Sequence, residues 1–134
     1  MANECCCGGV KLIYACSGAS DVGKLADSAA RELAKSNCGK MTCLAAVGAH
    51  LSGFVESAKG ATENITIDGC SVACAGKILD HIGVNSKSYV LTDMGYKKGE
   101  TPVTKKTVDE IVKKISSEPA KNSKKSDKRN NSCC

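Results

Sequence analysis

Aromatic residues are nearly missing from this chain. They make up 3% of its 134 residues, and Trp is absent altogether. That excludes the exposed ring platforms on which single-stranded nucleic acid stacks, and it requires an aliphatic core of Val, Ile, Leu and Ala. Long apolar runs are also missing, so nothing approaches the roughly 20 residues of a membrane-spanning helix. The opening Met1-Ala2-Asn3-Glu4 lacks the basic region and apolar stretch of a secretion signal. The expectation is a cytoplasmic protein with no membrane partner. Basic charge is missing from the body of the chain. The formal net charge is +5, but Lys121, Lys124, Lys125, Lys128 and Arg129 against Asp127 leave net +4 in residues 121–134 alone. A nearly neutral body points away from a nucleic-acid partner.

Cysteine, by contrast, is abundant, with ten in the chain. Without secretion, disulfide staples are the weaker explanation. The spacing agrees: Cys5-Cys6-Cys7 and Cys133-Cys134 are contiguous clusters, and the other five lie within or beside aliphatic segments. In a reducing compartment such residues mean metal ligation, thiol chemistry or inert packing.

The length suits one compact domain. Residues 1–9 form a Cys-bearing arm, residues 10–117 the folded domain, and residues 118–134 a basic tail without apolar periodicity, expected to be disordered. Within the domain, Val10-Lys11-Leu12-Ile13-Tyr14-Ala15-Cys16 reads as a strand. A helix follows with Leu25, Ala26, Ala29, Ala30, Leu33 and Ala34 on one face, capped by Ser20 or Asp21 and ended by Gly39. Residues 41–47 read as a second strand. Residues 51–59 read as a short helix with Leu51, Phe54, Val55 and Ala58 turned inward. Residues 64–68 are a third strand, and residues 71–82 a helix presenting Val72, Ala75, Leu79 and Ile82, stopped by Gly83. Residues 88–92 are a fourth strand. Thr101-Pro102 would open a last helix, in which Val108, Ile111, Val112 and Ile115 share a face. Strands and helices in alternation predict an α/β domain of Rossmann or flavodoxin-like type, with a mostly parallel four-stranded sheet and helices on both faces.

In that architecture ligands sit beyond the carboxyl ends of the strands. Cys16 ends the first strand and Cys70 follows the third, so the two meet on one edge. Asp68-Gly69-Cys70-Ser71-Val72-Ala73-Cys74 would put Cys70 at a helix N-terminus, with Cys74 on the same face. The amide groups there would favour a Cys70 thiolate, and thiolates suit zinc or, alternatively, iron and iron–sulfur clusters. Cys38 is expected to be incidental.

The segment Tyr14-Ala15-Cys16-Ser17-Gly18-Ala19-Ser20-Asp21-Val22-Gly23 resembles the DGC domain family, named for an Asp-Gly-Cys motif. So do Cys43-Leu44-Ala45, Gly53-Phe54-Val55-Glu56-Ser57-Ala58-Lys59, and Asp68-Gly69-Cys70 with Cys74-Ala75. The resemblance runs in order over residues 10–115. It implies a zinc-binding protein with four chelating cysteines, which fall on Cys16, Cys43, Cys70 and Cys74, and it implies no particular reaction. Cys43 reaches the edge only if its strand ends by residue 44. If the strand runs on, Cys5, Cys6 or Cys7 would complete the site, with His50 a weaker substitute. His81 is expected in the last turn of its helix.

Three rivals remain at this level. Cys70 and Cys74 could serve thiol redox or sulfur-carrier chemistry, although three residues separate them where thioredoxin-like motifs have two. Gly18-Ala19-Ser20-Asp21-Val22-Gly23-Lys24-Leu25 follows a strand and resembles a degenerate phosphate-binding loop. Leu25 offers no hydroxyl for magnesium, and Asp21 would oppose phosphate. The basic run ending in Cys133-Cys134 resembles a prenylated tail, but the body lacks the loops that usually accompany one.

Overall fold

The computed structural model describes residues 9–117 and 121–122. Strand β1 (Lys11–Ala15) leads into helix α1 (Asp21–Lys35), and strand β2 (Lys40–Met41) into the short helices α2 (Leu44–Gly48) and α3 (Ser52–Gly60). Strand β3 (Glu63–Asp68) precedes α4 (Cys74–His81). Strand β4 (Lys87–Val90) passes into a 3-10 turn (Leu91–Met94), then helix α5 (Lys105–Ser117) and the two-residue β5 (Lys121–Asn122). The sheet order is β2-β1-β3-β4-β5. The first four strands are parallel, as expected, and β5 adds an antiparallel pair on β4.

Side chains alternate across a strand, and β1 shows how that divides the core. Ile13 and Ala15 pack with Val22, Leu25, Ala29 and Leu33 of α1 and with Val108, Ile111 and Ile115 of α5. Leu12 and Tyr14 face the other way, onto Val47, Ala58, Ala75 and Leu79 of α2, α3 and α4. Helices therefore cover both faces. Burial pushes the Tyr14 phenol up to about 12, and its hydroxyl donates to Asn64 Oδ1 at 3.1 Å. At the amino edge, Glu63 bridges Lys11 and Lys87, joining three strands, and their hydrogen bonds hold its carboxyl below the usual range.

Several boundaries differ from the sequence expectation. The apolar run 41–47 is not one strand. β2 ends at Met41, and Leu44-Ala45-Ala46-Val47 turns into α2, since a short apolar run fits a helix as well as a strand. In α3 only Ala58 is buried, while Leu51 and Phe54 stay 52% and 39% exposed. That helix is anchored at its carboxyl end, where Asn64 Nδ2 donates to the Ala58 carbonyl. Helix α1 starts at Ser20, whose Oγ accepts from Gly23 N. It ends before Asn37, which takes a left-handed φ of +58°, two residues ahead of the stop expected at Gly39. Helix α5 opens after Thr104, not Thr101, because the Thr104 hydroxyl accepts from Thr107 N at 3.3 Å. Of the tail expected from residue 118, residues 121–122 form β5; the rest lies outside the described residues, as do Cys5, Cys6, Cys7, Cys133 and Cys134.

Candidate thiol cleft

The carboxyl edge of the sheet is built from close backbone contact. A Cβ on Gly69 would lie 2.7 Å from the Val22 carbonyl carbon and 2.8 Å from Gly23 N, and one on Gly23 would lie 2.5 Å from Gly18 O. The turn after β3 therefore rests directly on the first turn of α1. This contact brings Gly69 N within 3.3 Å of Cys16 Sγ, which accepts its hydrogen. Ser17, at a left-handed φ of +48°, is held by its hydroxyl donating to Asp27 Oδ1 at 2.9 Å.

Helix α4 does not begin at residue 71. Residues 70–73 form a turn, with Ala73 N donating to Cys70 O, and Ala73 sits in the left-handed region at φ +52°. The helix starts at Cys74, and its end is held by Asp68. Asp68 Oδ1 accepts from Ala75 N at 2.8 Å and Oδ2 from Gly76 N at 3.0 Å. The side chain is 1% exposed. Burial outweighs these two hydrogen bonds and raises its carboxyl above the usual range. The expectation that the helix amides serve Cys70 is corrected accordingly: Asp68 takes them, and Cys70 and Cys74 are not i and i+4 of one helix.

A cleft of about 500 Å³ opens here, lined by Cys16, Cys70 and Cys74 together with Gly18, Val72 and Lys98. Cys16 and Cys70 are half-buried and Cys74 is exposed. Cys43, at the N-cap of α2, is exposed and does not line the cleft, although β2 ends beside β1. Cys38 is half-buried against the α1 side of the core. His50 lies elsewhere: its ring meets His81 edge-on, with centroids 5.6 Å apart. His81 ends α4, about 10 Å down the helix from Cys74 at 1.5 Å per residue. Among the described residues no three His, Cys, Asp or Glu side chains stand grouped as metal ligands.

Lys98, which sequence reasoning did not single out, places Nζ 4.0 Å from Cys70 Sγ. Its loop is clasped by Asp21, whose Oδ1 accepts from Gly99 N at 2.9 Å and Oδ2 from Thr101 N at 3.0 Å. These hydrogen bonds, Gly99 first, hold the Asp21 carboxyl below the usual range. A carboxyl lowered in the folded state stabilises above its unfolded value, near 4, and loses that contribution as pH falls through the folded value. The amide proton resonances of Gly99 and Thr101 are therefore expected to shift together below pH 4, and in Asp21→Asn already at neutral pH. Amides indifferent to acid would show that the clasp does not form in solution.

The same contacts bear on the phosphate-loop rival. Gly23 N is engaged by Ser20 Oγ and Val22 N by Asp21 Oδ1 at 2.9 Å, and Lys24 is exposed. Amides that would cradle a phosphate already have partners. No helix among the described residues is long and apolar enough to cross a membrane.

A family profile described as the DGC domain matches residues 12–115. The "Anaerobic and virulence modulator AnvM" of Pseudomonas aeruginosa is 34% identical over 88 residues, covering 65% of this chain and 67% of that protein. No solved structure matches.

Proposed function

We propose, from the premise that this chain belongs to the DGC domain family, that it is a small cytoplasmic metal-binding protein. In this reading Cys16, Cys70 and Cys74 hold zinc, with Cys43 as the fourth ligand. The observation that carries the reading is that three thiols, from just after β1, the turn after β3 and the start of α4, line one cleft. The donors fit zinc in kind, since soft thiolates suit it, and the cytoplasm keeps them reduced. An amide donor on Cys16 Sγ is the sort of outer contact that orients a thiolate ligand. The cysteines do not stand grouped as ligands among the described residues, so capture of the ion would require them to draw together. Binding then adds to folding stability. With four thiolates the ion would be structural and would leave no open position for a reaction.

The test is metal analysis by mass spectrometry of full-length protein purified without oxygen. One zinc per chain is expected. Iron in its place would keep the site and change the ion. Cys70→Ser is expected to cost affinity by roughly tenfold or more, whereas Cys38→Ser leaves it unchanged. Metal-free protein with every thiol reduced, and no uptake of added zinc, would sink the reading.

Thiol chemistry at Cys70 is the second reading, favoured by the Lys98 ammonium beside its sulfur. Rapid alkylation of Cys70 in fully zinc-loaded protein would select it over resident metal.

A further inference from the structure

We propose that Lys98 gives the thiol cleft an anion subsite, so that a small ligand reaching Cys70 presents a carboxylate or similar oxyanion to this ammonium. The inference rests on the cleft being the functional site, but it does not require that a metal be bound there. Lys98 lines the cleft with Cys70, at 4.0 Å from Nζ to Sγ.

The loop that carries Lys98 is held on both sides of it. Asp21 takes the Gly99 and Thr101 amides on one side, and Thr101 Oγ1 donates to the Lys97 carbonyl at 2.7 Å on the other. Lys97 pairs with Glu100, whereas Lys98 makes no ion pair among the described residues. Among the described residues the one carboxylate lining the cleft is Asp68, which is buried and occupied by Ala75 N and Gly76 N. The cleft thus holds a cation with no ion-pair partner among the described residues. Its walls are largely apolar, Gly18, Ala19, Val72 and Ala73 among them, so the exposed Lys98 ammonium is the feature of this lining that attracts an anion. A neutral ligand gains only a hydrogen bond from such a group, whereas an anion gains charge pairing as well. A compound with a carboxylate one bond from its sulfur-reactive or sulfur-ligating atom would satisfy sulfur and ammonium together.

Iodoacetate is a probe of that shape, and iodoacetamide is its neutral twin. With either, a bond forms between the Cys70 sulfur and the reagent's methylene carbon while the carbon–iodine bond breaks and iodide leaves with the electron pair. The full chain, reduced and freed of metal by a chelator, would be labelled with each reagent, and the rate at every cysteine read by mass spectrometry. The iodoacetate-to-iodoacetamide ratio at one site cancels its thiolate fraction, so the ratio reports anion preference alone. We expect the ratio at Cys70 to exceed that at the exposed Cys43 by about fivefold, and to decline with added salt. Lys98→Gln should bring it down to the Cys43 value, and Lys98→Arg should preserve it. Equal ratios at Cys70 and Cys43 in the parent, or a Cys70 ratio indifferent to Lys98→Gln, would overturn the subsite. Metal content separates the two readings. A protein that takes no zinc yet loses its Cys70 preference in Lys98→Gln keeps the subsite and loses the metal, and zinc uptake with an indifferent ratio does the reverse.

Discussion

Asp68→Ala is expected to lower folding stability by about 2–4 kcal/mol, measured by denaturant unfolding. The substitution removes the acceptor for two amides at the start of α4. Each buried donor left without a partner costs about 1–3 kcal/mol, with Gly76, half-buried, at the low end. Asp68→Asn should fall between parent and alanine variant, because its amide oxygen can serve one donor while its NH2 opposes the other. The loss is large beside the roughly 5–15 kcal/mol that holds a domain together. If the cleft holds zinc as proposed, its affinity should fall as well, although Asp68 is no ligand in that reading, because the turn at residues 70–73 is fixed at one end by this clamp. An unfolding midpoint equal to the parent's would mean that water replaces the carboxylate. On the metal reading the aspartate of the Asp-Gly-Cys motif is structural, and the proposed chemistry belongs to the cysteine.

That division of labour was not legible in the sequence, and the reason is geometric. A capping residue is ordinarily sought directly before its helix, but Asp68 reaches seven residues forward to Ala75. The intervening turn depends on Ala73 adopting a left-handed conformation that its residue type does not advertise. Where periodicity extended over whole turns, as along Leu25, Ala29 and Leu33 or Val108, Ile111 and Ile115, helix and buried face could be read directly. Short apolar stretches could not, as residues 41–47 and the exposed Leu51 and Phe54 show.

The candidate site divides the same way. The neighbourhood of Cys16 and residue 70 could be read from parallel topology, because the carboxyl ends of β1 and β3 are adjacent, but the close contact of Gly69 with α1 could not. Lys98 depends on Asp21 gripping amides 78 and 80 residues away. In the linear sequence the same aspartate stood only as an obstacle to phosphate.

Gly69→Ala is expected to be at least as damaging as loss of Asp68, and for a different reason. Gly69 is not in the left-handed region; what it supplies is room. Its added Cβ would stand 2.7 Å from Val22 C and 2.8 Å from both Val22 O and Gly23 N. These are backbone atoms of a helix whose inner face is core, so they cannot swing aside as a side chain would. Relief requires β3 and α1 to part, and overpacking of this kind costs about 1–3 kcal/mol, occasionally more. We expect about 3 kcal/mol by denaturant unfolding. Gly53→Ala is the control, since nothing lies within 4 Å of its Cβ. There the helix gains up to about 1 kcal/mol from the better helix former, so the two substitutions should move the midpoint in opposite directions. Separation of β3 from α1 would also pull Gly69 N away from Cys16 Sγ, so under the proposed metal reading Gly69→Ala that still folds should bind zinc more weakly at an unchanged cysteine count. A Gly69→Ala protein as stable as the parent would mean that the turn does not rest on α1 in solution, and Cys16 and Cys70 would lose the contact that brings them together.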